Sequence, residues 1–189
     1  MNVTFHCAAS VGIAHLTSRL LADPDQAARP QTGVVIASSF LLGVLSHGVL
    51  DGLLHQYPIP FMIDPPLAVA VISLWCLLVQ PRFRLLFTLT FVGAVLPDVI
   101  DLGSGIGKLL LHRRLPTVAE WLGFHLPAGH FFPWHWPEGS GSIFDGTRDF
   151  VSLANHLIVM CFVMAAVWTN RKVFIWVPVP AAKESNGRR

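Results

Sequence analysis

Four long apolar runs dominate the pattern of hydrophobic and polar positions along this chain. They predict membrane-spanning helices near residues 33–54, 65–79, 85–101 and 150–169, because roughly 20 residues cross a typical hydrocarbon core. The second run is short for a span, which favours little tilt or a place inside a bundle. Turn-forming segments such as Tyr57–Pro60 separate the runs. The pattern therefore predicts an all-α integral membrane helical bundle.

A further helix is predicted at residues 4–21, with Thr4 as its N-cap. Its apolar residues recur at helical spacing, while His6 and Ser10 share a separate polar strip. The bundle has four or five helices, depending on whether this amphipathic segment crosses or re-enters the membrane. Asp64 is expected to cap the helix at 65–79, with a proline in its first turn.

The third and fourth spans are separated by a long excursion. Gly103–Gly107 is expected to end the third span, and residues 102–149 then form a loop. This loop carries a short helical patch at Lys108–Arg114 and a stretch rich in Trp, His and Pro at 121–139. The tail at 173–189 is first semi-apolar and then polar. With no internal repeat, the chain is predicted to form a single membrane domain.

Composition agrees with a membrane protein. Of the 189 residues, 53% are hydrophobic and 13% are charged, whereas soluble domains carry roughly 25% charged residues. A net charge of +2 gives no indication of a nucleic-acid partner. The three cysteines lie alone in apolar segments and predict neither a disulfide framework nor a CxxC zinc site. The predicted partner is the lipid bilayer.

Basic residues in the short flanks predict the orientation of the spans. The loop at 55–64 has no Lys or Arg, so it is expected outside together with 102–149. The turn between the second and third spans and the C-terminus are expected in the cytoplasm, because they carry Arg82, Arg84, Arg171 and Lys172.

This topology gathers ionisable residues at the external ends of the apolar runs. His47, Asp51 and His55 recur every four residues at the end of the first span, and Asp98 and Asp101 close the third. Ionisable groups in or beside hydrocarbon are costly, which makes them functional candidates. Histidine and aspartate are ligands of divalent metals. We expect the two sets to lie within about 8 Å of each other, the scale of one hydrated metal site.

Each pattern also has a structural interpretation. The His47/Asp51/His55 repeat can be a polar cap at the headgroup level, and the Pro97-Asp98 segment can be a helix-terminating turn. Pro97 is expected to kink its helix and turn both carboxylates toward a cavity. The loop histidines can belong to an interfacial aromatic belt; they are His125, His130 and His135.

A resemblance adds to these patterns. Gly93–Asp101 resembles the G-x-L-L-P-D-h-I-D segment of the bacterial and archaeal membrane-bound metal-dependent hydrolases. That family is similar in its small multi-spanning chains, in an H-x-x-x-D pattern and in histidines near the N-terminus and opening a later helix. The resemblance implies a bundle in a bacterial inner membrane and metal-dependent hydrolysis. Its H-R-x-x-T-H-S element has only Leu111–Arg114 as a remnant here.

The favoured hypothesis is a hydrolase with its site at the external membrane face. A divalent ion, with zinc favoured, would activate water for attack on an ester or phosphoester of a lipid or lipid-linked substrate. The candidate metal ligands are His6, His47, Asp98 and His156. Asp51 and Asp101 are candidate catalytic residues, as ligands, orienting groups or a general base. The alternatives are a non-enzymatic metal-binding or transport module and a structural subunit whose Trp/Pro-rich loop docks a partner.

Overall fold

The computed structural model is all-helical, as the sequence predicts, and contains no strand among the residues that it describes. These residues are 2–21, 31–53, 55–56, 59–60, 62–112, 115–124, 130–135 and 150–173. The α-helices in this part of the chain are α1 Val3–Ser18, α2 Gln31–Gly52, α3 Asp64–Leu78, α4 Pro81–Leu111, the single turn α5 Val118–Trp121, and α6 Phe150–Thr169. Short 3₁₀ turns occur at Arg19–Leu21, Pro133–His135 and Arg171–Val173.

Within the described ranges, three helices are long and apolar enough to cross a membrane: α2, α4 and α6, over Thr32–Gly52, Pro81–Ser104 and Phe150–Thr169. The predicted span at 65–79 corresponds to α3, a shorter apolar helix of 15 residues. The N-terminal helix α1 has 16 residues, which corresponds to a length of about 24 Å at 1.5 Å per residue. The sequence also predicts a polar loop at 23–31; its last residue, Gln31, begins α2, and the rest of it lies outside the described residues, as does the tail from 174 onwards.

The predicted helix break at Gly103–Gly107 is wrong. Helix α4 continues through Pro97 and through these glycines to Leu111, so the predicted patch at Lys108–Arg114 begins as the last turn of the same helix. Glycine costs a helix only about 1 kcal/mol per residue and leaves its hydrogen bonds intact. The helix ends instead at His112, which adopts a left-handed conformation with φ of 52°.

The start of α1 is held by another helix. Asn2, rather than Thr4, occupies the N-cap position, and the carboxylate of Asp64 in α3 accepts hydrogen bonds from the backbone N–H groups of Val3 (2.7 Å) and Thr4 (2.9 Å). The Asn2 amide bonds both backbone groups of Ile59. The prediction that Asp64 caps its own helix is therefore wrong, because its carboxylate satisfies the unpaired donors of α1.

The bundle has two chemically distinct ends. At one end, the Asn170 amide donates to Ser18 Oγ (2.6 Å), and Gln80 N–H donates to the carbonyl of Val173 (2.8 Å). We call this the basic end, because beside these residues in the chain lie Arg19, Arg82, Arg84, Arg171 and Lys172. At the other end the start of α1 meets the start of α3. Neighbouring helices in the order α1, α2, α3, α4 and α6 thus run in opposite directions.

The backbones of α2 and α4 touch through two glycines. A Cβ atom on Gly43 would lie 2.5 Å from the carbonyl oxygen of Thr90, and one on Gly93 would collide with the carbonyl of Phe40. Small residues permit this close approach of helices, and in a membrane van der Waals packing of this kind drives helix association. The pair α2–α4 is the scaffold on which the polar groups at the end of the bundle are arranged.

The contact at Gly93 predicts that alanine destabilises the protein at position 93 but not at position 33. Gly93→Ala is expected to lower stability by about 1–3 kcal/mol, because the methyl group overpacks the helix interface. Gly33→Ala is the control, since a Cβ there meets no atom within 4 Å and alanine is favoured in a helix by about 1 kcal/mol. Thermal unfolding of the purified variants, followed by circular dichroism, measures both. Equal midpoints for the two variants would contradict this account of the interface.

Candidate metal centre

His47 projects from the last turns of α2 with one ring nitrogen already engaged. The side chain is fully buried, and Nδ1 donates to the carbonyl of Ala94 on α4 at 2.6 Å. Ala94 lies in the turn before Pro97, where proline lacks an N–H and loosens the helical hydrogen bonds. The bond to Ala94 fixes the proton on Nδ1, so that Nε2 presents its lone pair.

His135 is held in the same manner by Asp101. His135 Nδ1 donates to Asp101 Oδ2 at 2.8 Å. The same carboxylate accepts the backbone N–H groups of Phe131 (2.6 Å) and Phe132 (2.9 Å). These three bonds attach the loop at 130–135 to α4 and leave His135 Nε2 available.

A second contact supports the loop from the side of α2. The ring of Trp134 packs against Gly48, where a Cβ atom would lie 2.7 Å from the ring. Gly48 follows His47 in the chain, so the contact brings the residue before His135 onto the backbone beside His47. The loop is thus attached to both helices of the scaffold.

Four potential ligand atoms converge at this end of the bundle. The Nε2 atoms of His47 and His135 are 3.2 Å apart. Asp51 Oδ2 lies 3.0 Å from the first and 3.2 Å from the second, and Asp98 Oδ1 lies 3.5 Å from both. Each of the four residues offers one ligand atom, and all of these atoms lie within 4.8 Å of one another. The group could hold a metal ion.

The spacing of these atoms fits a small cation. Tetrahedral zinc with ligand bonds of about 2.0–2.1 Å separates its ligand atoms by about 3.3–3.4 Å, and the separations that involve His47 or His135, 3.0–3.5 Å, bracket that value. With both Nδ1 atoms donating, two neutral imidazoles would direct lone pairs at each other and at two carboxylates. A cation between them converts this repulsion into attraction.

The ionisation of His135 reflects the same field of negative charge. Burial lowers the pKa of this imidazole, but its hydrogen bonds to Asp51 and Asp101 outweigh burial, so that its pKa lies above the ordinary value. The two carboxylates thus favour positive charge at this position.

His6 reaches the group from α1 without joining the four ligand atoms. Its Nε2 lies 3.1 Å from Asp51 Oδ1, and its ring stacks on that of His47 with centroids 3.9 Å apart and planes at 12°. Asp51 is therefore shared, since one oxygen meets His6 and the other faces the two Nε2 atoms. This position suits an orienting role for His6 in place of the predicted role as a direct ligand.

His156 and His55 do not join the four-atom group. His156 is buried on α6, donates from Nδ1 to the carbonyl of Ser152 at 2.6 Å and packs edge-on against Phe5. It does not join the ligand group that the structure describes. His55 is also buried and donates from Nδ1 to the carbonyl of Leu53. His125 falls outside the described residues.

The predicted meeting of the two polar sets is confirmed. His47 Nε2 lies 3.5 Å from Asp98 Oδ1, well within the expected distance. Asp98 and Asp101 share the same end of α4 because the helix continues past Pro97. Sequence reasoning missed His135, whose only signal was its place in a stretch rich in Trp and Pro. No spacing rule brings a loop histidine to an aspartate 34 residues earlier.

Comparison with protein family models, with curated proteins and with solved structures finds no match for this chain. Inference about its function therefore begins from the geometry of these side chains.

The four-atom group predicts one bound divalent ion per chain. Elemental analysis of detergent-purified protein should find it in the wild type and lose it in Asp51→Ala and His135→Ala, whereas His112→Ala, at an exposed histidine, should keep it. Asp101→Asn should weaken binding about 10–100-fold, because the hydrogen bond that orients His135 is disturbed. Equal metal content in His135→Ala and His112→Ala would exclude His135 from the site.

Proposed function

We propose that this protein is a zinc-dependent hydrolase of the membrane, acting on an ester or phosphoester. The observation that carries the proposal is the convergence of two imidazole nitrogens and two carboxylates at one end of a bundle of membrane-spanning helices. Imidazole and carboxylate ligands together suit zinc. The resemblance of Gly93–Asp101 to the membrane-bound metal-dependent hydrolases supports the same reaction class.

The four residues divide into an inner and an outer part. Asp51 lies 3.0–3.2 Å from the two Nε2 atoms, whereas Asp98 lies 3.5 Å from both. The Asp98 side chain is 13% exposed, against 9% for Asp51 and 7% for His135. We assign metal binding to His47, Asp51 and His135. Asp98, on the more open side, is left beside the position where water and substrate enter.

Each carboxylate then has its own role. Zinc, when bound, would lower the pKa of the water bound to it and would place positive charge beside a developing oxyanion. Asp98 accepts the proton from the attacking water and returns it to the leaving group. Asp51 is kept in place by His6 through its second oxygen. Asp101 accepts three hydrogen bonds, one of them from His135, which favours an orienting role for Asp101 over the role of the base.

The location of the group supports a lipid or lipid-linked substrate. The donors lie at the ends of helices that are apolar along their length, where an ester or phosphoester of a membrane lipid is positioned in a bilayer. A transport module would distribute ligands at several depths of the membrane. The four grouped ligand atoms instead lie within 4.8 Å of one another, which favours a reaction site over a pathway.

The role of Asp98 as the base predicts that its replacement lowers turnover without releasing the metal. Asp98→Asn should lower kcat by about 10²–10⁴-fold, as expected for loss of a general base, while zinc remains bound through the other three residues. Release of p-nitrophenol from long-chain p-nitrophenyl carboxylic and phosphate esters measures turnover, with His112→Ala as the control. A chelator should abolish activity and zinc should restore it. Wild-type protein that binds zinc but hydrolyses neither ester would favour the metal-binding module.

We further propose that the basic end faces the cytoplasm and the metal centre the outside of a bacterial inner membrane. In a variant lacking Cys7, Cys76 and Cys161, an impermeant thiol reagent applied to intact cells should label Met62→Cys and spare Arg84→Cys. Both positions are exposed. Met62 lies just before the start of α3, and Arg84 lies at the start of α4, at the opposite end of the bundle. Labelling of Arg84→Cys from outside, with Met62→Cys protected, would reverse the orientation.

A further inference from the structure

Two stacked imidazoles share the carboxylate of Asp51. The rings of His6 and His47 lie with their centroids 3.9 Å apart and their planes at 12°. His47 Nε2 faces Asp51 Oδ2 at 3.0 Å, and His6 Nε2 faces Asp51 Oδ1 at 3.1 Å. The two histidines, one from α2 and one from α1, therefore present the same ring nitrogen to the two oxygens of one side chain.

This arrangement has the geometry of a carboxylate that bridges two ions. In two-metal sites the ions lie about 3.5–4 Å apart. Parallel imidazoles that each bind an ion through Nε2 hold the two ions at about the spacing of the rings, and the ring spacing of 3.9 Å falls in that range. His6 and Asp51 Oδ1 thus provide a second pair of ligand atoms beside the four-atom group.

The distance between His6 Nε2 and Asp51 Oδ1, 3.1 Å, suits an octahedral ion. Neighbouring ligands at right angles, with bonds of about 2.1 Å, lie about 3.0 Å apart, and such an ion keeps several waters where the protein supplies few ligands. His6 Nδ1 is buried and has no hydrogen-bond partner among the described residues. Because loss of such a partner weakens metal binding about 10–100-fold, an ion on His6 exchanges more readily than one in the four-atom group.

The charge of this end of the bundle also favours a second cation. Asp51, Asp98 and Asp101 bring three carboxylates together, and neutral imidazoles add no charge. With these carboxylates ionised, one divalent ion leaves a net charge of −1 and a second changes it to +1. A phosphoester is an anion, which the first state repels and the second attracts. A carboxylic ester is neutral and has no such requirement.

We propose that His6 Nε2 and Asp51 Oδ1 hold a second, exchangeable divalent ion, and that this ion selects a phosphoester over a carboxylic ester. With one ion in the four-atom group, His6 donates from Nε2 and orients Asp51. With both ions bound, the ring proton of His6 is on Nδ1 and Nε2 is a ligand, while oxygens of the phosphoryl group replace waters of the second ion. The selection of a phosphoester rests on the proposed function, whereas binding of the ion is measured without substrate.

Metal binding is tested by titration. Detergent-purified protein that carries one zinc per chain receives Mn²⁺, and the electron paramagnetic resonance signal of free Mn²⁺ reports binding. The wild type should bind one further ion per chain. His6→Gln should keep the zinc but bind Mn²⁺ about 10–100-fold more weakly, because glutamine can donate to Asp51 but offers no imidazole nitrogen. His15→Ala, which removes another buried histidine of α1, should match the wild type.

Two results of this titration would overturn the proposal: no binding of Mn²⁺ by the zinc-loaded wild type, or equal binding by the wild type and His6→Gln. Thermal unfolding and zinc content establish that each variant is folded. If His6→Gln does not fold, His6→Asn takes its place.

The spectrum of bound Mn²⁺ locates the second ion. Protein freed of zinc and loaded with two Mn²⁺ per chain should give the spectrum of a spin-coupled pair, because ions bridged by one carboxylate lie about 3.5–4 Å apart. His6→Gln should show a single uncoupled ion. Two uncoupled ions in the wild type would refute the bridge through Asp51, and this result decides even where no variant of His6 folds.

Turnover separates this inference from the proposed function. Mn²⁺ added to the one-zinc wild type should raise release of p-nitrophenol from the phosphate ester about 10-fold or more, leave the carboxylic ester nearly unchanged, and have little effect on His6→Gln. In protein that hydrolyses the carboxylic ester, an equal increase for both esters, or none for the phosphate ester, would overturn the selection. A spin-coupled pair in protein that hydrolyses neither ester would refute the proposed function alone. Zinc-dependent hydrolysis by protein that binds no further ion would refute the second site alone.

Discussion

The close approach of α2 and α4 at Gly43 and Gly93 is the constraint on which the candidate metal centre depends. His47 donates to Ala94, the residue after Gly93, and this bond of 2.6 Å forms only when the two backbones are in contact. The same approach brings Asp98, one turn further along α4, to 3.5 Å from His47. A side chain at either glycine would push the two helices apart and lengthen the distance between the ligand atoms of His47 and Asp98.

The second requirement is a loop that returns to the scaffold, and Asp101 supplies its attachment. A buried carboxylate is costly unless hydrogen bonds satisfy it, and here two backbone N–H groups and His135 Nδ1 do so. The loop is therefore positioned by the cost of leaving Asp101 unpaired, with Trp134 packed on Gly48 as a second anchor. The hydrogen bond that satisfies Asp101 also orients His135. A residue of a loop can therefore be held beside candidate ligands from two rigid helices.

Much of this arrangement is present in local patterns of the sequence. Apolar runs predict the spans, because helical periodicity is local. The basic flanks place the ends that carry the HxxxD and PDxxD spacings on one side of the membrane, which predicts the meeting of His47 with Asp98. The capping of α1 by Asp64 and the place of His135 were not predictable, since each depends on contacts 60 and 34 residues apart. The glycines at 103–107 predicted a break from intrinsic preference alone, yet α4 continues to Leu111 at a modest cost.

Helix α1 approaches the candidate metal centre from the start of its own sequence. Asp64 fixes its first turn, and His6 bonds Asp51. At 16 residues α1 is shorter than the membrane-spanning helices, and its place therefore depends on tertiary contacts more than on its own length. The stacking of His6 on His47 at 3.9 Å then makes the geometry around Asp51 sensitive to how α1 is seated.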